Sequence, residues 1–146
     1  MSFNPAAPVL QTVWDWRAAG NFIGGGTGTG ILLVTTVAAL TGTTVLVPSL
    51  VGLAFVALGL SLVWLEIGRP LRALHVFFHP QTSWMTREGM VAMPLMLVGV
   101  LTLWLQWLGL VLTLGLLAAV FLYCQARILH AARGIPVWRT PRIVPL

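Results

Sequence analysis

The chain has 146 residues, of which 58% are hydrophobic and 8% are charged, and its formal net charge is +5. A soluble fold of this composition would lack the polar side chains needed to cover its surface, so the composition indicates a membrane protein. The basic residues flank apolar spans, as membrane topology requires, and do not indicate nucleic acid as a partner. The single cysteine, Cys124, excludes an internal disulfide and an iron–sulfur cluster or thiolate zinc site made by this chain alone.

The distribution of charge predicts the fold class. No charged residue lies in two long blocks, 18–65 and 89–126. As helix, each block is long enough to cross a roughly 30 Å hydrocarbon layer twice, and each has an uncharged break near its middle. We therefore predict an all-α, polytopic transmembrane bundle of four helices with both termini on the same side. All the basic residues are arginines on that side, so we expect a cytoplasmic (inner) membrane protein with cytoplasmic termini.

The first half of the chain is predicted to be an arm followed by a helical hairpin. Residues 1–20 should form an N-terminal interfacial arm, and the four-helix transmembrane domain should span 21–133. Helix 1 is expected from about Asn21 to Leu40 and is followed by a turn at 41–44. Pro48 suits the first turn of helix 2, which should continue to about Gly68.

Helix 1 carries glycines at four-residue spacing. Gly20, Gly24 and Gly28 form one stripe, and Gly26 and Gly30 form another. Small residues in such stripes allow a neighbouring helix to approach closely. The same absence of side chains could leave a slot for a flat or isoprenoid ligand, and the two interpretations are compatible.

The connection between helices 2 and 3, about 69–85, is too polar to span a membrane and too apolar to lie free in water, so we predict an interfacial loop. Thr86 is predicted to cap helix 3, with Glu88 in its first turn near the positive end of the helix dipole. Pro94 is expected to kink the helix. Helix 4 should follow a tight turn at 106–109 and end near Arg133, before a basic C-terminal tail at 134–146.

The histidines raise the hypothesis of a b-type haem. A haem held by a helical bundle needs two imidazoles at equal depth on facing helices. His75 and His79 belong to the predicted loop, whereas His130 falls at the end of helix 4. We therefore expect no haem in this chain and keep a b-type cytochrome as an alternative.

The run from Glu66 to Arg72 places a carboxylate at the end of an apolar span. This placement is costly unless the acid is paired, and Arg69 or Arg72 is close enough in sequence to pair with it. The pair could be purely structural. Alternatively, the carboxylate could exchange protons beside a redox ligand.

These motifs resemble those of the polysulfide reductase and nitrite reductase membrane-subunit family, which also includes the dimethyl sulfoxide reductase anchor. The resemblance rests on the Glu66 to Arg72 run, on His79 to Glu88, on the opening Trp14 to Phe22, and on Gly134 to Trp138. It covers nearly the whole chain. Within the family, the chain is most similar to anchors of cytoplasm-facing enzymes, such as the sulfite-oxidising molybdoenzyme and the phenylacetyl-CoA oxidoreductase.

The resemblance implies a haem-free anchor that exchanges electrons between the quinone pool, either menaquinone or ubiquinone, and an iron–sulfur subunit. That subunit serves a molybdopterin or tungstopterin catalytic subunit. Family members usually have more helices. The chain stops where a fifth helix would begin, so we expect either that it is an N-terminal half or that a second chain completes the bundle.

The candidate site residues lie at the arginine-bearing helix ends. The resemblance implies roles near the quinone for Asn21 and Tyr123, and it places Glu66 and Arg69 in the shared motif. We predict Glu66 and Tyr123 as catalytic residues and expect no metal ligands. Quinone contacts are predicted for the other four residues, which are Trp16, Asn21, Arg69 and His130.

Two further expectations complete the sequence-based picture. The soluble partner should dock on the arginine-bearing face through the 2/3 loop and the N-terminal arm. The rival function is a non-catalytic four-helix assembly or transport protein. Transport would require a polar path through the bilayer, yet only Thr, Gly and Gln interrupt the predicted helix cores.

Overall fold

The computed structural model describes residues 15–67, 81 and 83–131, without the side chains of 66 and 67. Four helices account for nearly all of this part: α1 is Trp16–Ala39, α2 is Leu46–Ile67, α3 is Trp84–Leu105 and α4 is Leu108–Ala131. Each is long and apolar enough to cross a membrane. The predicted all-α, four-helix transmembrane bundle is confirmed, and the chain is a multi-pass membrane protein.

Helix α1 begins at Trp16, whereas the sequence predicted a start near Asn21. Asp15 explains the earlier start, because its Oδ1 accepts hydrogen bonds from the backbone N–H groups of Arg17 at 2.8 Å and Ala18 at 3.4 Å. These bonds satisfy donors that the first turn of a helix leaves free. Residues 16–20, which were predicted to belong to the arm, are therefore helical.

Ser83 caps α3, so the prediction that Thr86 is the cap was wrong. Ser83 has extended backbone, and its Oγ accepts a hydrogen bond from the Thr86 backbone N–H at 3.3 Å. Glu88 is consequently the fifth residue of the helix and lies beyond the first turn. Pro94 lies inside α3, which continues to Leu105.

The helices form a four-sided bundle in which each packs against two neighbours: α1 on α2, α2 on α3, α3 on α4, and α4 on α1. Short turns join α1 to α2 and α3 to α4. Gly42 with φ 77° and Gln106 with φ 48° supply the left-handed residues of these turns. We call the end with both turns the turn end. The opposite end, where α1 and α3 begin and α2 and α4 finish, carries Arg17, Arg87 and Arg127 and is called the arginine end.

Glycines bring α1 and α2 into backbone contact. A Cβ atom added at Gly24 would lie 2.9 Å from the Phe55 carbonyl oxygen, and one added at Gly28 would lie 2.5 Å from the Gly52 carbonyl oxygen. The stripe containing Gly24 and Gly28 therefore packs closely, as predicted. The bundle core next to this seam is apolar, and its largest fully buried members are Phe121, Leu32, Leu95 and Leu114.

The second glycine stripe does not pack against the described part of the chain. A Cβ atom added at Gly26 or Gly30 would meet nothing there within 4 Å. The expectation of close packing was therefore met on one face of α1 only.

Exposed tryptophans lie at both ends of the bundle. Trp16 and Trp64 lie at the arginine end, whereas Trp104 and Trp107 lie at the turn end. Tryptophan prefers the interface between lipid and water, because its ring is amphipathic. The 22 residues of α3 rise about 33 Å, so the tryptophans at the two ends are separated by roughly the thickness of a hydrocarbon layer.

Candidate functional site

Three polar side chains meet inside the bundle at the arginine end. Asn21 on α1 is 4% exposed, Glu88 on α3 is 6% exposed, and Gln125 on α4 is 3% exposed. The other buried polar side chains of the described residues are hydroxyls: Thr29, Thr35, Ser49, Thr86 and Thr102. The three residues, which we call the buried polar cluster, therefore bring a carboxyl group and two amides into an interior whose other buried polar side chains are hydroxyls.

Gln125 links the three helices that contribute to the cluster. Its Nε2 donates a hydrogen bond to Glu88 Oε1 at 3.0 Å and a longer one to the Asn21 backbone carbonyl at 3.5 Å. The Asn21 side chain also interacts with the Glu88 carboxyl group. The Asn21 Oδ1 atom is buried without a hydrogen-bond partner in the described part of the chain. The cluster thus has one acceptor available to a further donor.

Helix periodicity and a glycine position these side chains. Gln125 continues the buried face of α4, after Ala118 and Phe121. Gly25, one turn after Asn21, faces the Gln125 side chain: a Cβ atom at Gly25 would lie 3.0 Å from Gln125 Cδ, and closer still to Nε2. The absence of a side chain at Gly25 therefore provides the space that the amide occupies.

The buried polar cluster is costly to the fold. Moving a carboxyl group out of water costs several kcal/mol unless hydrogen bonds compensate, and a buried acceptor without a donor costs about 1–3 kcal/mol. Ionisable groups buried within membrane proteins commonly mark functional sites.

Of the predicted site residues, Asn21 lies in the buried polar cluster, whereas Trp16 and Tyr123 lie elsewhere. Trp16 is 66% exposed at the interface, with the Arg17 guanidinium 5.6 Å from its ring centroid. Tyr123 is 43% exposed on the outer surface, where its ring meets that of Trp84 edge-on at 5.9 Å. Asn21, Trp16 and Tyr123 thus lie at the same end of the bundle but face different surroundings.

The remaining predicted residues are described only in part. His130 is partly buried in the last turn of α4, and its Nδ1 has no hydrogen-bond partner among the described residues. Glu66 belongs to the end of α2, but its side chain lies outside the described part, as does all of Arg69. The end of α2 is attached to α1, because Arg17 Nη1 donates a hydrogen bond to the Leu65 carbonyl oxygen at 3.2 Å.

Sequence reasoning missed the inward position of Glu88 and did not single out Gln125. The available signal was composition, because Gln125 is the one amide in the predicted core of α4. Within the described ranges, no three His, Cys, Asp or Glu residues are close enough to hold a metal ion.

We compared the chain with protein-family models, with curated proteins and with solved structures. None of the three comparisons found a match.

Proposed function

We propose that this chain is the haem-free, quinone-reactive membrane subunit of an oxidoreductase, with both termini in the cytoplasm. It exchanges electrons with an iron–sulfur subunit, which serves a molybdopterin or tungstopterin catalytic subunit. The observation that carries the proposal is the buried polar cluster at the arginine end. The motif resemblance supplies the reaction class.

The cluster fits the polar requirements of a quinone head. Such a head, when bound, supplies two-electron, two-proton redox chemistry, and it needs hydrogen-bond partners beside a flat apolar wall. Asn21 Oδ1 is a buried acceptor without a donor in the described part of the chain, which suits the hydroxyl group of a quinol. Phe121, one turn before Gln125 on α4, lies in the apolar core, and it would form the flat wall beside a quinone head bound at the cluster.

The chain's own residues then have distinct roles. Glu88 holds or releases a proton at its carboxyl group, and Gln125 fixes that group through the 3.0 Å hydrogen bond. Asn21 orients the ligand through Oδ1. Glu66 is a second candidate proton carrier at the same end, and Tyr123 is a candidate donor on the neighbouring outer surface.

The arginine end is also the proposed docking side. The iron–sulfur subunit docks there through the 2/3 loop and the N-terminal arm, with Trp16, Arg69 and His130 near the quinone. Electrons then cross only a short distance between an iron–sulfur cluster of the docked subunit and a quinone at the buried polar cluster. The two short turns at the turn end offer a soluble partner little surface by comparison.

The test separates quinone chemistry from the rest of the enzyme. In the assembled complex, Glu88→Gln should slow quinone-linked turnover about 100-fold, as expected for loss of a general acid or base. Transfer from the primary substrate to a soluble artificial acceptor should remain near the wild-type rate. Asp15→Asn is the matched control, since it also converts a carboxylate to an amide at the arginine end, and Asn still caps a helix.

Parallel variants locate the site. Glu66→Gln and Tyr123→Phe test the motif-based assignments by the same two assays. Full quinone activity in Glu88→Gln together with loss in Glu66→Gln would move the site toward α2. Full activity in all three variants would contradict a quinone site on this chain, and a Soret band scaling with the chain would contradict the haem-free assignment.

A further inference from the structure

The donors of Gln125 in the buried polar cluster are already used. Its side-chain amide carries two N–H donors. Nε2 donates to Glu88 Oε1 at 3.0 Å and to the Asn21 backbone carbonyl at 3.5 Å. Because both partners are acceptors, exchanging the nitrogen and oxygen of the amide would replace two hydrogen bonds by two repulsive contacts. The network therefore fixes the orientation of Gln125 and leaves it no donor for a ligand.

The same reasoning orients the side chain of Asn21. This side chain interacts with the Glu88 carboxyl group. An ionised carboxyl group only accepts hydrogen bonds, so the amide nitrogen of Asn21 is the group that faces Glu88. The Oδ1 atom is then left over, and it is buried without a hydrogen-bond partner in the described part of the chain.

Glu88 also keeps capacity to accept hydrogen bonds. The two oxygens of a carboxylate accept at about four positions. Its side-chain interactions in the described part of the chain are with Gln125 and Asn21. Across the described ranges, the salt bridge joins Arg17 to Asp15, so Glu88 has no cationic partner there. The positions that the cluster leaves open to a ligand are therefore acceptors, on Asn21 Oδ1 and on Glu88.

The oxidised and reduced forms of a quinone differ in the property that this site tests. A quinone carbonyl can only accept a hydrogen bond, whereas a quinol hydroxyl donates one as well. A quinone head against Asn21 Oδ1 would place two acceptors together and leave both unpaired in a buried setting, which is costly. A quinol hydroxyl in the same place would donate to Oδ1.

We propose that the buried polar cluster selects the quinol form over the quinone form. This inference rests on the proposed quinone site and adds the redox state that the site recognises. The wild type should bind the quinol about 10- to 100-fold more tightly, because a buried hydrogen bond replaces an unpaired acceptor. A two-electron couple shifts by about 30 mV for each tenfold difference, so the midpoint potential of the bound couple should rise by about 30–60 mV.

Anaerobic equilibrium binding to the assembled complex tests this preference without turnover. The probes are a dimethylnaphthoquinone, its quinol and the dimethyl ether of that quinol, with the corresponding decylubiquinone set in parallel. The ether keeps the ring and both oxygens but has no donor, so it should bind as weakly as the quinone. Complex reduced beforehand with dithionite is used for the quinol, so that the probe stays reduced. The ether, measured with oxidised and reduced complex, controls for the state of the enzyme.

Two variants assign the preference to the cluster. Glu88→Gln replaces an acceptor by an amide with N–H donors, so it should lower the ratio of quinol to quinone affinity at least tenfold. Asn21→Leu removes Oδ1 and should weaken quinol binding about tenfold while changing ether binding little. Asp15→Asn is the matched control and should keep the wild-type ratio. A purely structural defect would weaken the binding of all three probes together.

The wild-type comparison decides the proposal even if a variant folds poorly. Equal affinity for quinol, quinone and ether, or tighter binding of the quinone, would overturn selection of the quinol and leave the quinone site standing. A wild-type preference that persists in both variants would place the selecting groups outside the cluster and would also overturn the inference. If no probe of either set bound, the proposed function itself would be contradicted.

Discussion

The contact between α1 and α2 leads to a quantitative prediction for Gly28→Ala. The added Cβ atom would lie 2.5 Å from the Gly52 carbonyl oxygen, 2.7 Å from Val56 Cγ2 and 2.8 Å from the Val56 backbone nitrogen. Two of these three atoms belong to the backbone, so a side-chain rotation cannot relieve the overlap. The two helices must separate, and their neighbouring contacts weaken as they do so.

Overpacking of this kind typically costs about 1–3 kcal/mol of unfolding free energy. Gly30→Ala is the matched control: it lies on the same helix, and its Cβ atom would meet nothing within 4 Å in the described part of the chain. Replacing glycine by alanine inside a helix gains about 0.5–1 kcal/mol when nothing obstructs the methyl group. Both variants gain this helix term, so we expect Gly28→Ala to be less stable than Gly30→Ala by the overpacking cost of about 1–3 kcal/mol.

Reversible unfolding in mixed detergent micelles, with increasing sodium dodecyl sulfate and helicity followed by circular dichroism, measures this difference. Both variants should show wild-type helicity before denaturation, which confirms that the comparison concerns packing. Coincident unfolding curves for Gly28→Ala and Gly30→Ala would refute backbone contact between α1 and α2. A lower midpoint for Gly30→Ala would indicate instead that its face packs against another helix.

Three further predictions concern the buried polar cluster and the topology. Gln125→Leu removes the donor to Glu88 and should cost about 1–3 kcal/mol in the same unfolding assay, while a double-mutant cycle with Glu88→Gln should give a coupling above about 0.5 kcal/mol. Gly25→Ala should displace the Gln125 amide and lower quinone-linked turnover while sparing the artificial-acceptor reaction; unchanged turnover would show that the amide position is not needed. In a background without the native cysteine, Thr43→Cys should react with an impermeant maleimide from the outer side and Gln81→Cys from the cytoplasmic side, and the reverse pattern would invert the topology.

The number and type of helices could be predicted because lipid leaves few alternatives. A chain segment in hydrocarbon must satisfy its backbone hydrogen bonds internally, so an uncharged block of sufficient length forms helix. Helix ends were harder to locate. Ser83 and Thr86 are both capping residues by type, and only the extended backbone at Ser83 decides between them. Asp15 was likewise assigned to the N-terminal interfacial arm although it caps α1.

The buried polar cluster could not be located from hydrophobic periodicity. In a soluble protein the apolar face of a helix is the buried one, but these helices are apolar toward both lipid and core. Tyr123 and Gln125 show the consequence. Two residues apart, they are separated by about 200° around the helix axis, so they cannot share one face. The structure buries Gln125 and leaves Tyr123 at 43% exposure.

The two turns have a consequence for how the protein enters its membrane. The segments 40–45 and 106–107 contain no charged residue. A charged residue at the centre of the bilayer costs about 2.5–3.5 kcal/mol on insertion scales. Neither turn adds such a barrier, so each pair of helices can insert as a unit. In the proposed topology the arginines remain on the side of synthesis, and each pair of helices has its orientation before α1 and α4 meet.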